Sequence, residues 1–492
     1  MDENYTKDEK NAKLIENNVN VELQGISEKE PRTTMPDRIA DETFFTLLKE
    51  LIVIALPNTF SYLLSNINDL LALHFVGLLG IADYTAAVGL GMMWFNISAY
   101  SILLGLASVI DTLVSQSFGA KEIKMCSNHL ITAFVIITIV TFPLLIIIIY
   151  ASPILCIFGI EQSLSIIAGK YVFALLPNLF IFTEFELLRK FLNGQQIVNP
   201  QMVIVIITSV LHPLWCYLFI FPFNFSFIGA AYAKVLTSSI CMIFTLIYCL
   251  YKSLIQIPSL PELKEMIAHS KVFLELAFPS VVMICFDWWA YELMTLLSGN
   301  LGSIKLAANV ALVNMNLFFY MIPVGLGTGS GVLVGNMLGE GNIQKAKNFI
   351  KLSILFNLLV ISLLSIILLI FNKFVAEFFS LDPEVISLIR KLFWVLILVE
   401  LFDTGQGNLQ RILVGMGRQR IASILIVISY YCIMLPLCAL FIFYFTFGLY
   451  GVWAATGLSA CTLFTSYMFF IYKEDWISLV KEVQDRIKSE KK

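Results

Sequence analysis

The feature that most limits this chain is a succession of twelve apolar stretches, each long enough to cross a bilayer, a distance that takes about 20 mostly apolar residues as a helix. They run near 47–73, 84–113, 126–150, 165–188, 200–222 and 228–250. After a polar break they resume near 271–298, 305–335, 349–372, 388–410, 421–445 and 449–472. A segment in hydrocarbon must satisfy its own backbone hydrogen bonds, so each stretch predicts a membrane helix. Pro57, Pro143, Pro177, Pro213, Pro279, Pro323 and Pro436 fall inside them as candidate kinks. Of the 492 residues, 58% are hydrophobic and 14% charged. A soluble surface needs about 25–35% charged residues, so a soluble enzyme, a nucleic-acid binder and a disordered scaffold are excluded.

The basic residues give the topology. Lys and Arg accumulate in cytoplasmic loops. Counting the tails and the loops after every even-numbered span puts 26 of the 32 on one face. Both termini are therefore expected in the cytosol. The reading divides the chain into a disordered acidic tail (1–45), a first lobe (46–251, spans 1–6), a cytosolic linker (252–270), a second lobe (271–472, spans 7–12) and a cytosolic C-terminal tail (473–492). The nine Cys show no CxxC or paired spacing, and no metal site or cofactor is expected. The bilayer is the expected partner, with no nucleic acid, and a monomer is expected.

The lobes are copies. LGLASVIDTLVSQSFG (104–119) aligns with VGLGTGSGVLVGNMLG (324–339) at an offset of 220, pairing Gly105 with Gly325, Gln116 with Asn336 and Gly119 with Gly339. Ala55-Leu-Pro57 pairs with Ala277-Phe-Pro279 at an offset of 222. An even number of spans per copy makes the repeat parallel, with its axis along the membrane normal, an arrangement common in transporters. The Gly run at 325–335 lacks the GxGxxG and P-loop patterns. Gly331, Gly335 and Gly339 instead form a small-residue stripe for close helix packing, matched in the first lobe by Asp111, Ser115 and Gly119.

Ionisable groups at bilayer depth are functional candidates by default. Span 7 carries Asp287 and Glu292, five residues apart and so about 140° from each other around the helix. Span 10 carries Glu400 and Asp403 on one face. Neither span is read as supplying a Lys or Arg at that depth, so an acidic cluster is expected in the second lobe, able to exchange a proton for a cation. Trp288 and Tyr291, with Trp289, add aromatic faces suited to an organic cation. In the first lobe Asp69 is a secondary candidate, though Asn66 and Asn68 suggest simple hydrogen bonding, and Gln116 is another. Glu186 is expected to pair locally with Arg189 or Lys190, and His212 to pack or hydrogen-bond.

With these residues the chain resembles the multidrug and toxic compound extrusion (MATE) family, particularly its eukaryotic branch. The resemblance covers residues 45–472 and is carried by IDTLVSQSFGA (110–120), CFDWWAYELMTLLSG (285–299), VGNMLGEGN (334–342) and the run from Glu400 through LVGMGRQ (413–419). It implies an all-α polytopic protein of two six-helix lobes that exports organic cations or amphiphilic metabolites in exchange for H⁺ or Na⁺, at the plasma membrane or a vacuolar or endomembrane. By resemblance Asp287, Glu292, Glu400 and Asp403 match the family's acids. Asp287 stands where the family usually has Glu. Ala72 stands where prokaryotic members carry a span-1 Asp, which favours proton over sodium coupling. A carrier of organic anions or lipid-linked precursors is the rival reading, and a basic cavity lining would signal it; the spans show little of that beyond Lys234. A channel should carry charge rings lining a continuous pore, which a two-lobe repeat with buried acids on one side does not suggest.

Overall fold

In the computed structural model, which describes residues 44–256, 270–380 and 382–490, the described residues are almost entirely helical. Six long helices make the first lobe: α1 (Phe44–Gly77), α2 (Ala82–Gly119), α3 (Ile123–Ile149), α4 (Gln162–Gly194), α5 (Asn199–Ile220) and α6 (Ile228–Tyr251). Six make the second: α7 (Lys271–Ser298), α8 (Ser303–Glu340), α9 (Ile343–Ile370), α10 (Pro383–Gly415), α11 (Gln419–Phe443) and α12 (Gly448–Lys473). Eleven of these are apolar enough to cross a membrane by composition. The twelfth, α10, is long enough but carries Glu400, Asp403, Gln406, Asn408 and Gln410 in its second half, all of them buried. The tail expected at 1–45 and the linker at 252–270 lie largely outside the described residues.

The repeat is visible in detail. A short helix follows α3 at Ala151–Ile157, and another follows α9 at Asn372–Phe379. From Leu47 on, the described chain forms one compact unit. The lobes meet through reciprocal close approaches that a pseudo-twofold axis requires. A Cβ on Gly105 of α2 would stand 2.6 Å from the Val281 Cα of α7, and one on Gly325 of α8 would strike Thr59 of α1. Further along, Gly119 lies against the Asn336 backbone and Gly339 against the Gln116 backbone. The small-residue stripe on α8 thus serves two contacts, Gly335 and Gly339 against Ser115 and Gln116 of the other lobe and Gly331 against α10 of its own.

Hydrogen bonds close that end of the bundle, the one at which the basic residues gather. Thr112 Oγ1 donates to the Val414 carbonyl (2.5 Å), Gln116 Nε2 to the Gly415 carbonyl (2.9 Å) and Gln419 Nε2 to Thr112 Oγ1 (2.6 Å). The C-terminal segment contributes a thirteenth helix, α13 (Trp476–Glu490). Its apolar face buries Leu479, Val483 and Ile487, the last two against Met125 of α3. Arg486 donates to Gln116 Oε1 in the first lobe. Arg418, in the turn between α10 and α11, donates to Glu474 (2.6 Å) and to Glu482 (2.9 Å). Burial alone would lower the Arg418 guanidinium, but its bonds to Glu474 and Glu482 outweigh that and hold it above the usual arginine range.

Two stretches depart from the α-helical pattern. Asn96–Tyr100 in α2 and Val427–Met434 in α11 are π-helical, a distortion frequent at functional sites. The first leaves the Ile97 carbonyl to accept from Trp289 Nε1 of the other lobe (3.1 Å). The second presents Tyr430 to the acidic helices α7 and α10.

Candidate functional site

A cavity of about 360 Å³ lies between the lobes and takes lining residues from both. On the second-lobe side are Asp287, Trp288, Tyr291 and Glu292 of α7, Asn316 and Tyr320 of α8, and Asp403 and Arg411 of α10. On the first-lobe side are Tyr62, Asp69, Asn96, Tyr100, Glu186, Arg189, Lys190, His212 and Lys234.

The acids of α10 are built into a shared hydrogen-bond set. Glu400 and Asp403, one turn apart, face α8, where Asn316 Nδ2 donates to Glu400 Oε1 (3.0 Å) and to Asp403 Oδ2 (3.1 Å). One amide therefore bridges two carboxyls. Asp403 Oδ1 accepts from the Tyr291 hydroxyl (3.1 Å) and from Gln406 Nε2 (3.1 Å). Gln406 also reaches the Tyr430 hydroxyl (3.4 Å). Asp287, 7% exposed, faces Asp403, Gln410, Arg411 and Tyr430. Two ionised carboxylates at such spacing repel, and what relieves the repulsion is a proton or a cation. Glu400 does not line the cavity; it stands behind Asp403, and its Oε2 has no hydrogen-bond partner.

Trp288 and Tyr291 line the cavity beside the acids. Trp288 packs toward Tyr100 across the lobe boundary, with ring centroids 6.0 Å apart, and the Tyr291 ring lies edge-on to Tyr430 at 5.9 Å. Glu292 lines the same cavity as Asp287 despite the angle between them on α7. The cavity is wide enough to wrap around that helix.

The first-lobe acids are arranged differently. Lys234 Nζ donates to Asp69 Oδ1 (2.6 Å), and Lys190 Nζ to Asp111 Oδ2 (2.5 Å). Glu186 is paired with Arg189, as the local spacing anticipates, and the Arg189 guanidinium covers the Tyr62 ring at 4.0 Å. Asp69 is thus held by a lysine, not by the neighbouring amides; Asn68 donates instead to Ser209 (2.9 Å). His212 is hydrogen-bonded to Thr237 (2.8 Å).

Three sequence expectations change. Gln116 lies at the closed end, bonded to Gly415 and Arg486, and does not line the cavity. Basic residues line the cavity well beyond Lys234, since Arg189, Lys190 and Arg411 join it. Span 10 also carries its own cation at the site: Arg411 belongs to α10, not to a loop, because the helix runs to Gly415. The sequence reading missed Asn316, Gln406, Gln410 and Tyr430. A signal existed for part of this set, because Glu400, Asp403, Gly407, Gln410 and Arg411 recur at helical spacing on one face of α10. Nothing comparable marks Asn316.

Comparison with known proteins agrees with this architecture. The family model described as MatE matches the chain twice, over residues 57–218 and 279–440, one match in each lobe. Multidrug and toxin extrusion protein 1 of Homo sapiens is 29% identical over 439 residues, covering 89% of this chain and 76% of the relative. Its Mus musculus counterpart is 30% identical over 443 residues, covering 90% and 78%. The crystal structure of the eukaryotic MATE transporter AtDTX14 superposes with a TM-score of 0.85 at 24% identity, over 90% of this chain and 99% of that one. A twice-repeated family match on a two-lobe membrane fold leaves no room for an enzyme: the chain belongs to the MATE family of multidrug and toxin extrusion transporters.

Proposed function

We propose that the protein is a secondary active antiporter that exports organic cations, or amphiphilic metabolites carrying a cationic group, in exchange for protons. The observation that supports this most is the amide-bridged pair Glu400/Asp403 beside Asp287 in an aromatic-lined cavity. Glu400 and Asp403 are held by neutral donors, so a proton or an incoming cation is free to act as their counter-charge. The relatives' name, multidrug and toxin extrusion protein, points the same way. Although Arg189, Lys190 and Lys234 line the cavity, each already holds a carboxylate, which argues against a carrier of purely anionic substrates.

With α2 and α8 joined at the cytosolic end, the cavity is reached from the other side of the membrane. Protons arriving from there occupy Asp287 and the Glu400/Asp403 pair and release the bound cation. Rocking of the lobes then opens the Gly119/Asn336 and Gln116/Gly339 contacts, as alternating access requires. On the cytosolic side an ammonium group enters against Trp288 and Tyr291, displaces the protons and takes their place on the carboxylates. Glu292, nearer the outer rim, guides the cation out.

The test is uptake of a fluorescent organic cation into vesicles holding the purified protein, under an imposed pH gradient or an imposed Na⁺ gradient. Accumulation driven by the pH gradient alone is the expected result. Accumulation driven only by Na⁺ would replace the coupling ion, and none under either gradient would overturn the reading.

A further inference from the structure

Every lysine and arginine that lines the cavity from the first lobe is paired with a carboxylate. Arg189 pairs with Glu186, Lys190 with Asp111 and Lys234 with Asp69. Arg411 is different: among the described residues no carboxylate lies within ion-pair distance of it, and its buried Nε has no hydrogen-bond partner.

Its position is built rather than accidental. The stem of Arg411 leaves α10 against two glycines of α8. A Cβ on Gly327 would stand 3.0 Å from the Arg411 Cβ, and one on Gly331 would stand 2.5 Å from the Arg411 carbonyl oxygen. Side chains at either position would push α8 and α10 apart and shift Arg411 from its place at the cavity. The head is near enough to Asp287 and Tyr320 for their charges to interact. Arg411 lies eight residues beyond Asp403 on the same helix, about 12 Å along the axis at about 1.5 Å per residue. It therefore stands toward the closed end, just above the Val414 and Gly415 carbonyls that seal the lobes. The cavity has an acidic part around Asp403 and Glu292 and a guanidinium at its floor.

A guanidinium presents a planar fork of donors that matches carboxylate and phosphate oxygens. Partly buried without a partner, it is left costly to keep, and a ligand anion is the group that would relieve it. We propose that Arg411 is a specificity-determining residue that gives the cavity an anion-accepting position, so that the preferred substrates are amphoteric, with an ammonium-type group for the carboxylates and a carboxylate, sulfonate or phosphate ester for Arg411. This rests on the cation-export reading above. The same fixed charge disfavours a substrate with a second positive group at that end.

The competing role for Arg411 is to neutralise Asp287, and the two roles separate in one measurement. Vesicles holding the full chain are offered tetraethylammonium and a trialkylammonio-carboxylate betaine of matched size, and the ratio of the two transport rates is taken on the same preparation. The ratio is independent of how much protein folds. In Arg411→Gln the betaine-to-ammonium ratio should fall by about tenfold or more, as expected when one partner of a charge pair in a site is truncated. Arg411→Lys, which keeps the charge and loses the fork, should fall in between. A bis-quaternary dication should gain on tetraethylammonium in Arg411→Gln. If both rates change by the same factor, Arg411 acts on Asp287 alone and the proposal is overturned. It is also overturned if the wild-type protein moves tetraethylammonium and no betaine. If the wild-type protein moves neither probe, the cation-export reading fails instead.

Discussion

The two lobes share one scaffold and treat most of their acids in opposite ways, Glu184 of α4 being a buried exception without a basic partner among the described residues. In the first lobe Asp69, Asp111 and Glu186 each hold a Lys or Arg. In the second, Asp403 and Glu400 are held by Asn316, Tyr291 and Gln406, all neutral donors. A paired carboxylate has its counter-charge supplied by the protein and responds little to what enters the cavity. A carboxylate held only by neutral donors has to find its counter-charge in a proton or a cation. Duplication therefore supplied the frame and the axis of motion, while exchange chemistry is concentrated in one half.

The sharpest way to break this comparison is to neutralise an acid in the second lobe. Asp287→Asn keeps the shape of the side chain and removes its charge, and proton-driven efflux in vesicles should drop to the level of empty vesicles while the protein still folds. Unchanged transport would remove Asp287 from the mechanism and leave the asymmetry between the lobes without a functional meaning.

In the first lobe the largest effect should be on stability. Lys190 and Asp111 have side chains 3% and 10% exposed, and removing one partner of a buried pair costs about 3–5 kcal/mol because the other charge is left uncompensated. Lys190→Met should lower the thermal unfolding midpoint of the detergent-solubilised protein. The double variant Lys190→Met/Asp111→Asn should recover most of the loss. A Lys190→Met protein as stable as wild type would mean that the ion pair does not hold this lobe together.

Next in size is the amide that joins the two second-lobe acids. Asn316→Ala deletes the donor to both Glu400 and Asp403, and an unsatisfied buried acceptor costs about 1–3 kcal/mol. Proton-driven efflux should fall by about thirtyfold, in the middle of the range that cost implies. Asn316→Asp, which adds a third acid, should be worse than Asn316→Ala. The reverse order would show that the bridge is not what organises the pair.

Much of the architecture was legible in the sequence, for physical reasons that differ between residues. Apolar length marks a membrane helix directly, so the spans near 271–298 and 228–250 fall on α7 and α6 almost residue for residue. Asp287, Asp403 and Glu292 stood out because charge is rare at such depth, and all three line the cavity. Arg411 was counted among loop residues because hydropathy falls off where α10 turns polar. Those polar residues stay helical because α8 and the first lobe cover them. The pairing of Lys190 with Asp111, 79 residues away, depends on how α4 packs on α2 and leaves no local pattern. The π-helical stretches that present Asn96 and Tyr100 to the cavity and Tyr430 to Gln406 are equally silent in sequence. What an isolated span carries could be read; what two helices share could not.

The smallest effect is expected where the first lobe comes nearest to the exchange chemistry. Asp69 lines the cavity and is 45% exposed, and Lys234 beside it is 21% exposed. Water screens a pair this open, so it is worth about 0–1 kcal/mol. Asp69→Asn should leave pH-driven export within about threefold of wild type, consistent with an interaction of that size, and should leave the proton as the coupling ion. The more informative variant is Lys234→Met. It frees Asp69 from its partner without touching the second lobe and leaves an unpaired carboxylate facing the cavity. If pairing is what keeps the first-lobe acids silent, this variant should bind organic cations a few-fold more tightly in a competition assay, and the added Asp69→Asn change should abolish the gain. If instead Asp69→Asn alone removes proton coupling as completely as Asp287→Asn, the paired acid is working despite its lysine, and the division of labour between the lobes has to be redrawn.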